Sequence, residues 1–337
     1  MESRKNVDLG SFNTFGVSAK AENYYEINNE DDLKSILDKS DQPIQILGGG
    51  SNILLTSDVH GTLLHINIKG IDVVDRDEAG ELIRVGAGVA WHDLVMWSVE
   101  NEYYGLENLS LIPGKVGAAP IQNIGAYGIE QESVFVALEA IELSSGTLQV
   151  FSHAECLFGY RDSFFKKEGK GKYCITAVYY RLKKEGDLTL GYGAVSDALK
   201  SKGIQSPTPR DVSDIIISIR QSKLPNPEVI GNGGSFFKNP ILPKEVIEGL
   251  KKDYETLPSY PVPDHPVLLK TSAAWLIDQC GWKGRQVGET GTYKNHALVL
   301  VNHGNATGQE ILNVAQSIVS DVNDKFGIEL EAEVNIW

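Results

Sequence analysis

Cysteine is scarce in this 337-residue chain. Cys156, Cys174 and Cys280 are widely spaced, and none belongs to a Cys-x-x-Cys pair. Three thiols cannot all pair within one chain, so neither a disulfide framework nor a zinc site is indicated, and no metal is expected. Such usage suits a reducing, cytoplasmic setting. Long apolar runs are also missing. No stretch approaches the roughly 20 residues that span a bilayer, and the opening MESRKNVDLG has no apolar core of the signal-peptide kind, so no membrane partner is expected. Positive charge is short as well: 31 Lys and Arg stand against 45 Asp and Glu, a formal net charge of −14. A surface of that sign repels nucleic acid. An anionic ligand must therefore be held locally, by clustered amides or a few placed cations. Internal repeats and low-complexity tracts are lacking too.

What is present is an ordinary globular composition, 42% hydrophobic and 23% charged, long enough for two or three domains. Residues 31–37 read as a helix, and 43–47, 62–68 and 82–85 as strands. Residues 91–102 have helical spacing. Strands return between 134 and 182, in ALEAIEL, TLQVFS and YCITAVYYRL. Further helices are expected at 209–222, 244–254 and 272–280. The longest, 307–326, carries apolar residues at 311, 312, 315, 318, 319 and 322, with Gly327 as its C-cap. The final stretch, 328–337, reads as a strand. The succession indicates an α+β or α/β nucleotide-binding region.

Five segments carry candidate chemistry. Gly48, Gly49 and Gly50 follow a strand and precede Ser51 and Asn52. Glycines of this kind expose successive N–H groups as a phosphate nest, although a tight hairpin turn is equally compatible. The segment is not the G-x-G-x-x-G dinucleotide fingerprint. Residues 105–128, GLENLSLIPGKVGAAPIQNIGAYG, have no clean period and are too apolar for a floppy linker. A long irregular segment of this sort is pinned against the core or a ligand. Gln122, Asn123 and backbone amides could there read polar edges of a flat ligand. In 159–163, Arg161 offers a planar fork for a carboxylate or an enolate, and a surface pair with Asp162 is the plainer reading. In 231–240, glycines place Ser235 ahead of Phe236 and Phe237 without a G-x-S-x-G elbow, which points away from a hydrolase nucleophile. Its hydroxyl could donate a proton, or simply occupy a turn. Last, strand alternation would set Glu331 and Glu333 on one face.

Taken in order, LGGGSN, IPG with PIQNIGAYG, GYRDS, KLPNP, GGSFFKNP, WLIDQCG, NHALVLVN and LEAEV resemble the UDP-N-acetylenolpyruvoylglucosamine reductase family, from Asn13 to Val334. The resemblance implies an α+β fold of the vanillyl-alcohol-oxidase (PCMH-type) class. Two α+β FAD-binding subdomains, 1–69 and 70–222, would be joined by a third α+β substrate-binding domain, 223–327, with 328–337 returning to the first. It implies non-covalent FAD, NADPH as co-substrate, and reduction of UDP-N-acetylglucosamine enolpyruvate to UDP-N-acetylmuramate in peptidoglycan synthesis. A cytoplasmic monomer is expected. Another FAD oxidoreductase of the same fold, acting on a carbohydrate or hydroxy acid, is the alternative.

By resemblance the cofactor contacts are Gly48, Gly49, Gly50, Ser51 and Asn52 at the diphosphate. Pro113, Gly114, Gly117, Ala118, Ile121, Gln122, Asn123, Gly125, Ala126 and Tyr127 would line the rest of the cofactor. Ala118 and Ala119 stand where some relatives carry Ser, which removes a hydroxyl contact. Ser235 matches the proton donor, Arg161 the enolate-stabilising residue and Glu333 its carboxylate-side partner. Glu333 would need a raised pKa or an ion pair with Arg161, because a carboxylate beside an enolate is repulsive. Tyr160, Lys223, Asn239 and Gln279 match substrate contacts. Tyr192 matches the tyrosine of a subtype whose extra loop, within 188–215, closes over the substrate diphosphate.

Overall fold

The computed structural model describes residues 3–38, 42–263 and 265–337. It divides the chain into two compact units. The first comprises residues 1–7, 21–50 and 59–222, and the second 8–20, 51–58 and 223–337.

Two sheets build the first unit. In one, strands run in the order Ser3–Asp8, Lys20–Ile27, Val59–Ile66, Ile44–Leu47, and the last three are mutually parallel. The other is antiparallel, in the order Leu148–Ser152, Phe135–Glu142, Tyr173–Leu182, Gly80–Gly86, Ile71–Asp77. Alternation along Phe135–Glu142 explains how one sheet serves two cores. Leu138 and Ala140 join Ile83, Val85, Val178 and the helix Trp91–Glu100 in one cluster. Ile141 points the other way, into a cluster with Ile27, Leu33, Leu64, Ile66 and Ile68 that covers the parallel sheet. Ile68 and Ile141 therefore share a core within the first unit.

The extra segment expected as a loop within 188–215 is largely helical. Tyr192 sits at the N-cap of the helix Gly193–Ser201, which packs through Val195 and Leu199 against Val212, Ile215 and Ile216 of the helix Pro209–Lys223. Apolar i, i+3 and i+4 spacing in both pieces explains the pairing.

In the second unit a four-stranded antiparallel sheet runs Gly231–Ser235, His296–Asn302, Thr290–Tyr293, Gln286–Val287. A three-stranded sheet, Ile241–Pro243, Leu268–Thr271, Ser259–Pro261, stands with it. The helix Gly308–Phe326 forms as its caps dictate. Thr307 and Glu310 make a reciprocal capping box, and Gly327 closes the other end at φ 67°. Its face of Ile311, Val314, Ala315, Ile318, Val322 and Phe326 is buried. The helix expected to 254 stops at Lys251.

The strand expected over 328–337 is largely absent. Only Asn335–Ile336 is strand, paired in parallel with Ile53–Leu54. Upstream, Ala332 bridges Phe237, and the N–H groups of Glu333 and Val334 both point to the Phe236 carbonyl, at 2.8 and 3.5 Å. Two residues facing one is a bulge, and a bulge re-aims side chains. Glu331 is exposed and pairs with Lys238, while Glu333 is half-buried. Among the described residues, no helix is long and apolar enough to cross a membrane.

The first turn of the helix Gly308–Phe326 offers a test of close packing. A Cβ on Gly308 would lie 1.7 Å from the Leu55 carbonyl oxygen. Thr307→Ala should cost about 1 kcal/mol of stability through the lost cap. Gly308→Ala should cost clearly more, read as a lower urea midpoint. A milder effect for Gly308→Ala would show that this contact yields freely.

Candidate active site

The strand Ile44–Leu47 delivers Gly48 and Gly49 against the irregular segment 105–128. A Cβ on Gly49 would stand 3.0 Å from the Gly114 Cα, and one on Gly48 would stand 3.7 Å from the Lys115 Cβ and 3.8 Å from the Ala118 Cβ. Gly50 turns the chain at φ 61°, a left-handed value that glycine takes freely. Two segments singled out separately in the sequence are therefore packed against each other. Backbone surface left bare by glycine suits the close approach of a flat, phosphate-bearing cofactor. FAD fits this cradle: Gly48, Gly49 and Gly50 would hold its diphosphate, and the segment running from Pro113 to Tyr127 would flank the rest.

Segment 105–128 is pinned as its apolar composition requires. Leu106, Leu109 and Val116 are wholly buried. Trp91 N–H donates to the Gly114 carbonyl, Val116 N–H to the Val89 carbonyl, and Gly117 N–H to the Ala87 carbonyl at 2.9 Å. A Cβ on Gly117 would meet the Ala87 Cβ at 2.5 Å. The Ser163 hydroxyl donates to the Ile121 carbonyl at 2.7 Å. Asn123 has its side chain fully engaged within the protein. It donates to Glu130, Glu132 and the Gly159 carbonyl, and accepts from Gln131 and the Glu132 N–H. A reading of ligand edges by its side-chain amide gives way to a hub that ties three loops. Its neighbours Gln122, Gly125 and Ala126 are half-buried.

Strain collects here. Leu111, Asn123, Tyr127 and Arg161 have φ of 57°, 42°, 50° and 55°, sparse territory for residues with side chains. Such outliers gather where a fold fixes side chains for binding or catalysis. Arg161 Nη2 donates to the Gly125 carbonyl at 2.6 Å, its Nη1 lies 3.8 Å from Glu130, and its guanidinium sits 5.4 Å from the Tyr160 ring centroid. The expected surface pair with Asp162 does not form, because Asp162 pairs with Lys167. The Arg161 turn closes through reciprocal Gly159 and Asp162 backbone bonds of 3.1 Å.

Arg220 escaped the sequence reading. Its Nε donates to the Leu111 carbonyl at 3.2 Å. Burial pulls its pKa below the usual guanidinium value, while a hydrogen bond and charge interaction with Tyr127 hold it up. Burial in turn pushes Tyr127 upward. Tyr192 meets Tyr127 edge-on, with ring centroids 5.1 Å apart, and is itself 47% exposed. The only sequence signal for Arg220 was its i, i+3 spacing from Lys223 on one helix.

In the second unit, Ser235 ends the strand Gly231–Ser235. The Asn13 side chain locks residues 9–17 through bonds to the Leu9 and Val17 carbonyls and the Val17 N–H. That turn presses Phe15 onto the strand. A Cβ on Gly231 would lie 2.1 Å from the Phe15 carbonyl oxygen, and one on Gly233 would lie 2.5 Å from its ring. Gly234 adopts φ 71°, and the register slips between Asn232 and Ser235. Phe236 and Phe237 are buried and stack edge-on at 5.1 Å. Ser235 is thus fixed by its neighbours on both sides. The Glu333 N–H donates to the Phe236 carbonyl, so the segment carrying Glu333 runs alongside the one that follows Ser235. Asn52 holds the same corner: its Nδ2 donates to the Glu333 carbonyl at 3.3 Å, and its carbonyl accepts from Asn335. Ser51, next to it, is half-buried.

Asn239 Oδ1 accepts from the Ala273 N–H at 3.0 Å, at the start of the helix Ala273–Gln279. Gln279 is the exposed last residue of that helix, and its carbonyl accepts from Lys325. Lys223 is exposed, and His296 lies within its electrostatic reach. Burial, followed by Lys223 and Lys283, keeps the His296 pKa low, and its Nδ1 is buried without a hydrogen-bond partner among the described residues. His296 is a second polar group that pattern reading passed over, inside the run NHALVLVN. Among the described residues, no cluster of His, Cys, Asp or Glu could hold a metal.

Two tests follow from the packed segment. Gly49→Ala should weaken FAD binding at least tenfold, a loss of about 1.4 kcal/mol or more in an FAD titration, because a methyl cannot pass the Gly114 backbone. Glu107, 2% exposed, has its pKa raised by burial above the ordinary 4.5. A raised carboxyl contributes its stability below the unfolded pKa and loses it as pH rises through the folded one. Glu107→Gln should therefore gain thermal stability over the parent as pH rises from about 4.5 towards neutrality. A constant difference across pH would show that Glu107 is not held protonated.

Residues 22–152 match the FAD-binding-domain family, and residues 226–337 match the C-terminal domain of UDP-N-acetylenolpyruvoylglucosamine reductase. A UDP-N-acetylenolpyruvoylglucosamine reductase of Flavobacterium johnsoniae is 46% identical over 338 residues, covering 100% of both chains. The corresponding protein of Bdellovibrio bacteriovorus is 45% identical over 340 residues, again covering 100% of each. The crystal structure of the reductase from Thermus caldophilus shares the fold, with a TM-score of 0.69 at 24% identity over 100% of this chain and 98% of that one. On full-length identity of this order, the chain belongs to the UDP-N-acetylenolpyruvoylglucosamine reductase family and is an FAD-dependent oxidoreductase.

Proposed function

We propose that this chain reduces the enolpyruvyl ether of UDP-N-acetylglucosamine to the lactyl ether, UDP-N-acetylmuramate, as a cytoplasmic monomer supplying peptidoglycan precursors. Bound FAD would supply, from NADPH, the hydride that reaches the terminal carbon of the enolpyruvyl group. Negative charge then builds on the carboxylate side as an enolate. Arg161 answers that charge. Its guanidinium is anchored at Gly125 and backed by the Tyr160 ring, so the positive charge is preorganised rather than recruited. Ser235 gives the proton to the adjacent carbon, and Glu333 assists at the carboxylate side.

The observation that carries this reading is the setting of Ser235. A serine in a mere turn needs no such support, yet Ser235 is held by Phe15 against Gly231 and Gly233, and by buried Phe236, whose carbonyl accepts from the Glu333 N–H. A proton donor must be placed to a few tenths of an ångström, and that rigidity supports the role.

Lys223, Asn239, Gln279, Tyr160 and Tyr192 are assigned to substrate. Lys223 is an exposed cation suited to the diphosphate. Tyr192, exposed at a helix N-cap and in edge contact with Tyr127, has the freedom to turn towards the same group. The first unit would bind the cofactor and the second the substrate. Three unpaired cysteines agree with a reducing compartment.

Ser235→Ala separates the two halves of the reaction. Reduction of the flavin by NADPH, followed as bleaching of its absorbance, should proceed at nearly the parent rate. Turnover of the enolpyruvyl nucleotide should fall about 10²–10⁴-fold, the usual contribution of a positioned proton donor. Equal slowing of both halves would make Ser235 structural and defeat the assignment.

A further inference from the structure

The parallel strands of the first unit end together, and a glycine turn leaves one of those ends. In sheets of this kind, ligands bind beyond the carboxyl ends of the strands. Gly48 and Gly49 follow the strand Ile44–Leu47, and Lys69 comes three residues after the neighbouring strand Val59–Ile66. Lys115 arrives from the other glycine-rich segment. Its Cβ and Cγ lie 3.7 and 3.8 Å from the place a Cβ on Gly48 would take, and its Cγ lies 3.6 Å from the place of one on Gly49. Lys69 Nζ donates to the Gly88 carbonyl at 2.7 Å, and after burial its charge helps to lower the Lys115 pKa. His65, in register with Leu47, feels both lysines, and its Nδ1 is tied to the Tyr24 hydroxyl at 2.7 Å.

Like charges brought together repel, the more so where one of them is half-buried, as Lys115 is. Asp93 acts on Lys115 and Glu26 acts on His65, yet neither lysine forms an ion pair among the described residues. Lys115 is thus half-buried against the glycine turn, with the exposed Lys69 beside it, in a chain whose net charge is −14. An anion with at least two charges between them would relieve the repulsion and meet the turn's N–H groups at once. Nothing in the family assignment names either lysine.

We propose that Lys69 and Lys115 form a two-ammonium clamp that holds the diphosphate of bound FAD against the Gly48–Gly49 turn. The inference rests on the assignment of the FAD diphosphate to residues 48–52. His65 stands behind the clamp and stays neutral near pH 7, because burial and the two lysines work against its protonation while only Glu26 and the Gly48 backbone favour it.

The test uses the full chain stripped of flavin and titrated with FAD and with riboflavin, which has no phosphate, following flavin fluorescence. Lys69→Gln and Lys115→Gln should each weaken FAD binding roughly tenfold, and the double variant on the order of a hundredfold, as expected for lost charge-assisted bonds. Riboflavin binding should not change. The dependence of FAD affinity on salt should become shallower, and Lys115→Arg should restore most of the loss. Unchanged FAD affinity in the double variant would overturn the clamp, as would an equal loss for riboflavin. A double variant that keeps FAD affinity but loses its preference for NADPH over NADH would also overturn it, by moving the lysines to the co-substrate's phosphate. If the parent chain binds neither flavin, the cofactor assignment itself fails, and the clamp with it.

Discussion

Two stretches of backbone approach each other at Gly49 and Gly114 with no side chain between them, and the cofactor half of the molecule depends on that approach. A single Cβ at Gly49 would reach the Gly114 Cα at 3.0 Å. The glycine turn can sit there only because the facing segment is nailed in place elsewhere, by Trp91, Val116 and Gly117 on one side and by the Asn123 hub on the other. Rigidity on one face and bare backbone on the other is what a phosphate site requires. The strained Arg161 belongs to the same construction. Its guanidinium is anchored on the Gly125 carbonyl, so the glycine-rich loop also aims this cation.

The second unit solves a similar problem with different means. Here a residue rather than an empty space sets the geometry: Phe15 lies so close that Gly231 and Gly233 can carry no side chain. The strand is thereby held to one position, with a slip in register just before Ser235. A bulge lies opposite Phe236 at Glu333, which is half-buried while Glu331 is exposed. Both devices, close glycine packing and a bulge, trade regularity for placement. That trade is typical of segments that hold reacting groups.

Charge follows the same local logic. The chain as a whole is strongly acidic, and long-range attraction cannot bring an anionic ligand to it. Cations are instead concentrated near the glycine turn and around Tyr127, where Lys115 and Arg220 are partly stripped of water. Within such surroundings a positive charge acts at far greater strength than on an open surface.

Much of this was legible in the sequence because it depends on neighbours along the chain. The capping box at Thr307 and Glu310, the left-handed Gly327, the amphipathic face between them and the glycine run after a buried strand are all local signals. The apolar character of 105–128 likewise showed that it would be pinned. Tertiary structure decided the partners. Asp162 turned to Lys167 and left Arg161 to Gly125 and Glu130, a choice made by a left-handed residue that no pattern marks. The C-terminal stretch reads as a strand by alternation, yet its pairing with Phe236 and Phe237 inserts a bulge, and alternation cannot foresee an extra residue in a ladder. Arg220, His296 and the inward side chain of Asn123 drew their meaning from groups distant in sequence. Local propensity fixes which segments are helix, strand or turn, whereas the burial and pairing of a polar group depend on what the rest of the chain brings to it.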